Sequence, residues 1–167
     1  GFMLMGATVV DQSGVSAVAF YGLVYLFMTL LAFYIVGFVS EHYGNDDFDR
    51  FNGLISKHPF VSILMAITML SLAGVPPFGG FVAKFNLFAV VVNKKLYFLA
   101  IVAGLNSVVS LYYYLKVVRC MIFNKVESEG LIPGFSLVNL SILTVFVVPI
   151  FVLGLFWGDF AKLSSEA

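Results

Sequence analysis

The stretch Ser71-Leu-Ala-Gly-Val-Pro-Pro-Phe-Gly-Gly-Phe-Val-Ala-Lys-Phe85 decides how this chain folds. Pro76 and Pro77 carry no backbone donor, and Gly79 and Gly80 tolerate dihedrals closed to other residues, so a helix entering from upstream cannot pass through intact. Lys84 follows the break, with no other formal charge between Lys57 and Lys94. An ionisable group at membrane depth costs about 2.5 to 3.5 kcal/mol on insertion scales and is by default tied to function. Backbone groups freed by the break must be buried in protein or face water. Together these features predict a discontinuous helix with a titratable amine beside its interruption, the arrangement of midplane sites in ion-coupled transporters. The competing reading is a lysine that snorkels to an interface, with Pro-Pro-Phe-Gly-Gly as a turn between two short helices.

The rest of the chain makes a membrane the setting. Of 167 residues, 61% are hydrophobic and 11% charged, and the mean hydropathy is +1.04. A soluble domain would carry about a quarter charged residues. The formal net charge is zero, without a basic stripe, so nucleic acid is not an expected partner. A single cysteine, Cys120, excludes an internal disulfide and any cysteine-based metal cluster held by this chain alone, and reads as an apolar filler.

The expected architecture is an all-α integral membrane bundle. Residues 1–10 read as the end of an upstream helix, because the chain opens directly on Phe-Met-Leu-Met, as the C-terminal part of a longer membrane protein would. Residues 15–40 are uncharged and form a transmembrane helix, capped by Ser13 or Ser16, whose tyrosines serve packing. Residues 41–57 form a polar loop in which His42, Asp46, Asp47 and Asp49 lack the order of a calcium site. Residues 59–93 form the discontinuous helix, broken at 76–80 and read as one crossing, since its second half is too short to span alone. Helices at 96–122 and 135–158, a polar loop at 123–134 and a tail at 159–167 complete the chain, with Pro149 as a kink and Trp157 near an interface. A single crossing groups Arg50, Lys57, Lys116, Arg119 and Lys125 against Lys94, Lys95 and Lys162, which places the first group in the cytoplasm or matrix.

Lys84 has proton chemistry available, because its charge responds to burial and to neighbours, whereas an arginine would stay protonated. Supporting groups for a path are His58 at a helix start, Asn106 and Ser110 one turn apart, and Tyr113. The run Tyr112-Tyr113-Tyr114 before Lys116 reads first as an interfacial aromatic belt. No hydrolytic triad, phosphate loop or dinucleotide fingerprint is present, and two histidines are too few for bis-histidine haem.

Leu70 to Phe85, followed by Asn106-Ser-Val-Val-Ser-Leu-Tyr-Tyr-Tyr-Leu-Lys116, resembles the antiporter-like membrane subunits of respiratory complex I, the proton-pumping NADH:quinone oxidoreductase. The likeness is closest to the subunit N branch, which includes mitochondrial subunit 2, because the related branches M and L usually carry glutamate or Lys-Asp-Glu where Lys84-Phe85-Asn86 stands. Asn86 departs from a frequent tyrosine. The resemblance implies an inverted-repeat fold of which this is the C-terminal part, with Lys84 as the proton-translocating lysine and Pro76, Pro77, Gly79 and Gly80 as the break. It also implies no cofactor in this chain. NADH, FMN, iron–sulfur clusters and quinone would belong to partner subunits, and the neighbours would be other antiporter-like and small membrane subunits in a bacterial cytoplasmic or mitochondrial inner membrane. The rivals are a multisubunit cation/proton antiporter and a structural membrane anchor.

Overall fold

The computed structural model describes residues 1–43, 51–125 and 136–155, and among these every regular element is a helix. Expectations concerning Asp46, Asp47, Asp49, Arg50, Trp157 and Lys162, and the side chain of His42, lie outside the described residues. In chain order the helices are α1 (Phe2–Ala7), α2 (Gln12–Tyr43), α3 (Leu54–Lys57), α4 (Pro59–Ala73), α5 (Gly79–Asn93), α6 (Tyr97–Phe123) and α7 (Leu137–Leu155).

Local chemistry sets their ends. The cap of α2 is Asp11 rather than Ser13 or Ser16: its Oδ1 accepts the Gly14 N–H at 2.9 Å and the Ser13 hydroxyl at 2.6 Å. A carboxylate at this position satisfies an orphan amide and complements the positive helix end. The helix also continues beyond Ser40 through Glu41, His42 and Tyr43, since no glycine or proline intervenes before Gly44. Helix α4 opens on Pro59, where a missing N–H costs nothing.

Among the described residues three helices, α2, α6 and α7, are long and apolar enough to cross a membrane, whereas α4 and α5 have 15 residues each. Fifteen residues rise about 22 Å, short of the roughly 30 Å hydrocarbon core. The two halves lie end to end beside α2. Its successive contacts run from Asp11 with Lys94, through Val18, which meets Leu87 at Gly6 of α1, and Val24 with Gly79, to Met28 with Ser71. This order is antiparallel and unbroken across the gap, so α4 and α5 follow one path in one direction. Helix α6 returns along both: Leu96 follows the end of α5, Ser110 lies with Leu72 on one cavity wall, and the Cys120 carbonyl accepts the Gly53 N–H at 3.2 Å. Cys120 is more than a filler there, since its Sγ also donates to Asn52 Oδ1.

Helix α7 runs antiparallel to α2, through Tyr34 with Asn139 and Phe27 with Phe146, and brings Phe151 edge-on to Phe78 at the break. Pro149 lies within this helix and removes one of its hydrogen bonds. The core is the seam where α2, α4, α5 and α7 meet, with Val24, Leu31, Leu87, Leu143 and Ile150 fully buried.

Backbones approach closely at this seam. A Cβ at Gly154 would collide with backbone atoms of Pro77, Phe78 and Gly79, whereas one at Gly104 meets nothing within 4 Å. Gly154→Ala is expected to lower the melting temperature of the solubilised full-length protein by several degrees, and Gly104→Ala to leave it unchanged or raise it slightly. Equal melting temperatures for the two variants would contradict the seam.

The Asp11–Lys94 ion pair, 2.6 Å between charged atoms, joins the start of α2 to the end of α5. The Lys94 ammonium, helped by Ser13 and the Gly14 amide, holds the Asp11 carboxyl well below the usual carboxylate range. A depressed folded-state value means the stabilisation is present above the ordinary carboxylate range and is lost as pH falls below it. Exposure and salt screening keep it small. Asp11→Asn is therefore expected to flatten the acid side of the stability profile at low salt and to change little at high salt, as read by thermal melts.

Candidate functional site

Helix α4 ends in a left-handed glycine. Gly74 has φ 89°, its N–H meets the carbonyls of Leu70 and Ser71, and the Val75 N–H reaches back to Leu70. This Schellman closure satisfies carbonyls up to Ser71 and leaves those of Leu72 and Ala73 pointing onward. Pro76 and Pro77, joined by a cis peptide bond, carry the chain across to α5. The interruption therefore occupies 74–78 rather than 76–80: Gly79 and Gly80 already belong to α5. Their role is close approach. A Cβ at Gly80 would collide with the Ser71 carbonyl, and one at Gly79 would lie 2.9 Å from the Ile150 carbonyl.

Lys84 supplies what the end of α4 lacks. Its Nζ donates to the Leu72 carbonyl at 2.8 Å and to the Ala73 carbonyl at 3.0 Å. The residue is 7% exposed, so it does not snorkel. A cation at a helix C-terminus is favoured by the helix dipole, and hydrogen bonds to charged groups contribute about 1.5 to 3 kcal/mol each. An ammonium has three donors, and two carbonyls leave one over. Nζ also lies 4.9 Å from the centre of the Phe2 ring, within cation–π range.

A cavity of about 300 Å³ adjoins the lysine, walled by Phe2 and Met3 of α1, Tyr21 and Tyr25 of α2, Leu72, and Ser110, Tyr113 and Tyr114 of α6. Four phenol groups and one serine hydroxyl in such a space make it polar and roomy enough for water. Tyr21 and Tyr25 stack with ring centres 5.9 Å apart, and Tyr113 and Tyr114 lie 4.6 Å apart. The tyrosine run of α6 thus reaches the level of the broken helix, nine residues before the helix ends at Phe123, with Tyr113 and Tyr114 on the cavity wall.

Of the residues singled out from the sequence, Lys84, Ser110 and Tyr113 come together at this cavity. Asn106 is exposed and does not line it. One helical turn back from Ser110 rotates a residue by about 40°, enough to carry it off the wall. His58 caps the far end of α4, about 22 Å from the break. The sequence reading singles out neither Phe2 nor Ser71 as a site residue and gives Tyr21 and Tyr25 to packing alone. Tyr21 and Tyr25 do carry a signal, two phenols one turn apart on an uncharged helix. Among the described residues no group of three or more histidine, cysteine or acidic side chains is placed to hold a metal.

Water in the cavity is testable directly. In a Cys120→Ser background, Ser110→Cys is expected to react within minutes with a small cationic methanethiosulfonate, because the reactive thiolate forms only where water reaches it. Val108→Cys, on the exposed apolar face of α6, is expected not to react. An inert Ser110→Cys would mean a dry cavity.

Comparison with known proteins places this geometry. The family described as NADH:quinone oxidoreductase/Mrp antiporter, TM, matches residues 1–110. The chain is 37% identical over 162 residues to NADH-quinone oxidoreductase subunit N 2 of Sorangium cellulosum, covering 95% of this chain and 32% of that one. It is 32% identical to NADH-quinone oxidoreductase subunit N of Desulforamulus reducens, covering all of this chain and 35% of the relative. The chain thus spans about a third of the length of these relatives. Among solved structures, respiratory complex I from Thermus thermophilus with bound aureothin matches with a TM-score of 0.78 at 28% identity, over 94% of this chain and 35% of that one. The Mrp complex from Dietzia sp. DQ12-45-1b shares the fold, with a TM-score of 0.81 at 23% identity over 98% of this chain and 39% of that one.

Proposed function

Because the chain belongs to the NADH:quinone oxidoreductase/Mrp antiporter transmembrane family, we propose that it is part of a proton-translocating membrane subunit of NADH:quinone oxidoreductase, with Lys84 as its proton carrier. The observation that carries this reading is the seat of Lys84: a buried amine bonded to two helix-end carbonyls on one side and open to a polar cavity on the other. Such a group can exchange a proton with cavity water while its stem stays fixed. Bonds to the carbonyls and the negative end of α4 favour the ammonium, and burial favours the amine. The balance between them is what a conformational change elsewhere in a complex would tip.

Ser110 and Tyr113 are the polar wall that would hold the water beside Lys84, and Asn106 and His58 have no part in this reading. The chain itself does no redox chemistry. NADH, FMN, iron–sulfur clusters and quinone would be handled by partner subunits, and the electrons' energy would reach Lys84 through neighbouring membrane subunits in a bacterial cytoplasmic or mitochondrial inner membrane. The names of the two relatives, both subunit N of NADH-quinone oxidoreductase, at 37% and 32% identity, favour this reading over an ion-gradient antiporter.

The deciding experiment is NADH-driven proton uptake in inverted vesicles containing the full-length subunit in its complex. Lys84→Met is expected to cut uptake and coupled turnover by at least about tenfold with the complex still assembled. Lys84→Arg keeps donors for the Leu72 and Ala73 carbonyls but cannot release a proton, and is expected to fail as well. Unchanged uptake in both variants would sink the reading in favour of a structural lysine. Cation-driven exchange without NADH-driven uptake in the wild type would favour the antiporter.

A further inference from the structure

Three hydroxyl side chains of α4 are buried, and they behave differently. Ser62 donates to the His58 carbonyl at 3.0 Å and Thr68 to the Leu64 carbonyl at 2.8 Å, the usual return bond to the preceding turn of the same helix. Ser71, fully buried, makes no such bond. It donates to the Met28 sulfur on α2 at 3.0 Å, and its oxygen accepts the Gly80 N–H of α5 at 3.1 Å. That amide is one of the first-turn donors that a helix cannot satisfy itself. A single hydroxyl therefore joins the unbroken helix α2 to both halves of the broken one.

Gly80 and Lys84 are one turn apart on α5 and so share the face that meets the end of α4. Along that face there are two ties: the Gly80 N–H to Ser71, and the Lys84 ammonium to the Leu72 and Ala73 carbonyls. The first does not depend on a proton and the second does. We propose that Ser71 is a positioning residue that fixes the register of α5 against α4, so that Lys84 returns to the same carbonyl seat after each loss of its proton. This rests on the reading of Lys84 as the proton carrier. Met28 directs the Ser71 hydrogen away from Gly80 and thereby keeps the oxygen lone pairs turned towards the amide. Without Met28, the hydroxyl would be free to turn back on its own helix, as Ser62 and Thr68 do.

The test uses the full-length subunit in its assembled complex, with protons taken up per electron and the pH dependence of uptake as readouts. Ser71→Ala is expected to lower uptake per electron about threefold or more and to displace the pH profile by about half a unit, with quinone KM unchanged. Ser71→Cys, which keeps a weak donor and acceptor at the same place, is expected to recover part of both. Met28→Leu conserves volume and removes the sulfur acceptor, so it is expected to shift the profile in the same sense as Ser71→Ala by a smaller amount.

Should Ser71→Ala fail to assemble, Ser71→Cys and Met28→Leu carry the test, and wild-type profiles in both would overturn the proposal. It is equally overturned if Ser71→Ala merely lowers the quantity of complex while uptake per electron and pH profile stay as in the wild type. Retained pumping in Lys84→Met would instead strike at the proton-carrier reading itself, so the two failures are distinguishable.

Discussion

A helix that stops inside a protein leaves carbonyls without helical partners, and the structure is organised around pairing two of them. The carbonyls of Leu72 and Ala73 receive the Lys84 ammonium, while the left-handed turn at Gly74 closes over Leu70 and Ser71. Each side of the gap answers the other's deficiency. The half-helix that lacks acceptor partners is given a cation, and the half-helix that lacks donor partners is given a serine oxygen. An uncompensated group of either kind would cost about 1 to 3 kcal/mol in such surroundings. The lysine is thus a structural member of the break, and its bonds to the two carbonyls tie its charge to how the two halves are joined.

Continuity is supplied from outside the break. Helix α2 runs 32 residues without interruption beside both halves, and its contacts progress in one order from Lys94 to Ser71. Helix α6 does the same on the other flank, so the interrupted path is held between two uninterrupted ones. The cavity forms where α1, α2 and α6 face the lysine, which explains why its wall draws residues as far apart in sequence as Phe2 and Tyr114.

Much of this was legible in the residues themselves. Pro76 and Pro77 announce the break, the isolation of Lys84 among uncharged neighbours marks it as exceptional, and long uncharged runs give α2, α6 and α7. What the sequence obscured follows from physical causes. Gly79 and Gly80 look like helix breakers yet sit in α5, because their missing side chains answer to tertiary crowding rather than to local dihedrals. Asp11 outranks the serines as a cap because a carboxylate accepts two bonds at once. Tyr113 and Tyr114 precede Lys116 as an interfacial belt would, and only the folded arrangement shows that they also wall the cavity beside Lys84. Ser71 gives no one-dimensional signal, since its partners on α2 and α5 are 43 and 9 residues away.

The glycines of the seam have a bearing on how such a sequence can change. Gly79, Gly80 and Gly154 each stand against backbone, where no rotamer of a neighbour can yield space to a methyl group. By contrast, the outward side chains of α6, such as Phe98, Ile101 and Leu105, are exposed in this chain and stand against no backbone within it. Divergence among sequences with this half of the fold should therefore be uneven: rapid drift in the identity of apolar residues along α6, and near immobility at three small positions that carry no chemistry. A distant relative could then be recognised from the spacing of those glycines around a double proline and a lysine, even after overall identity has faded.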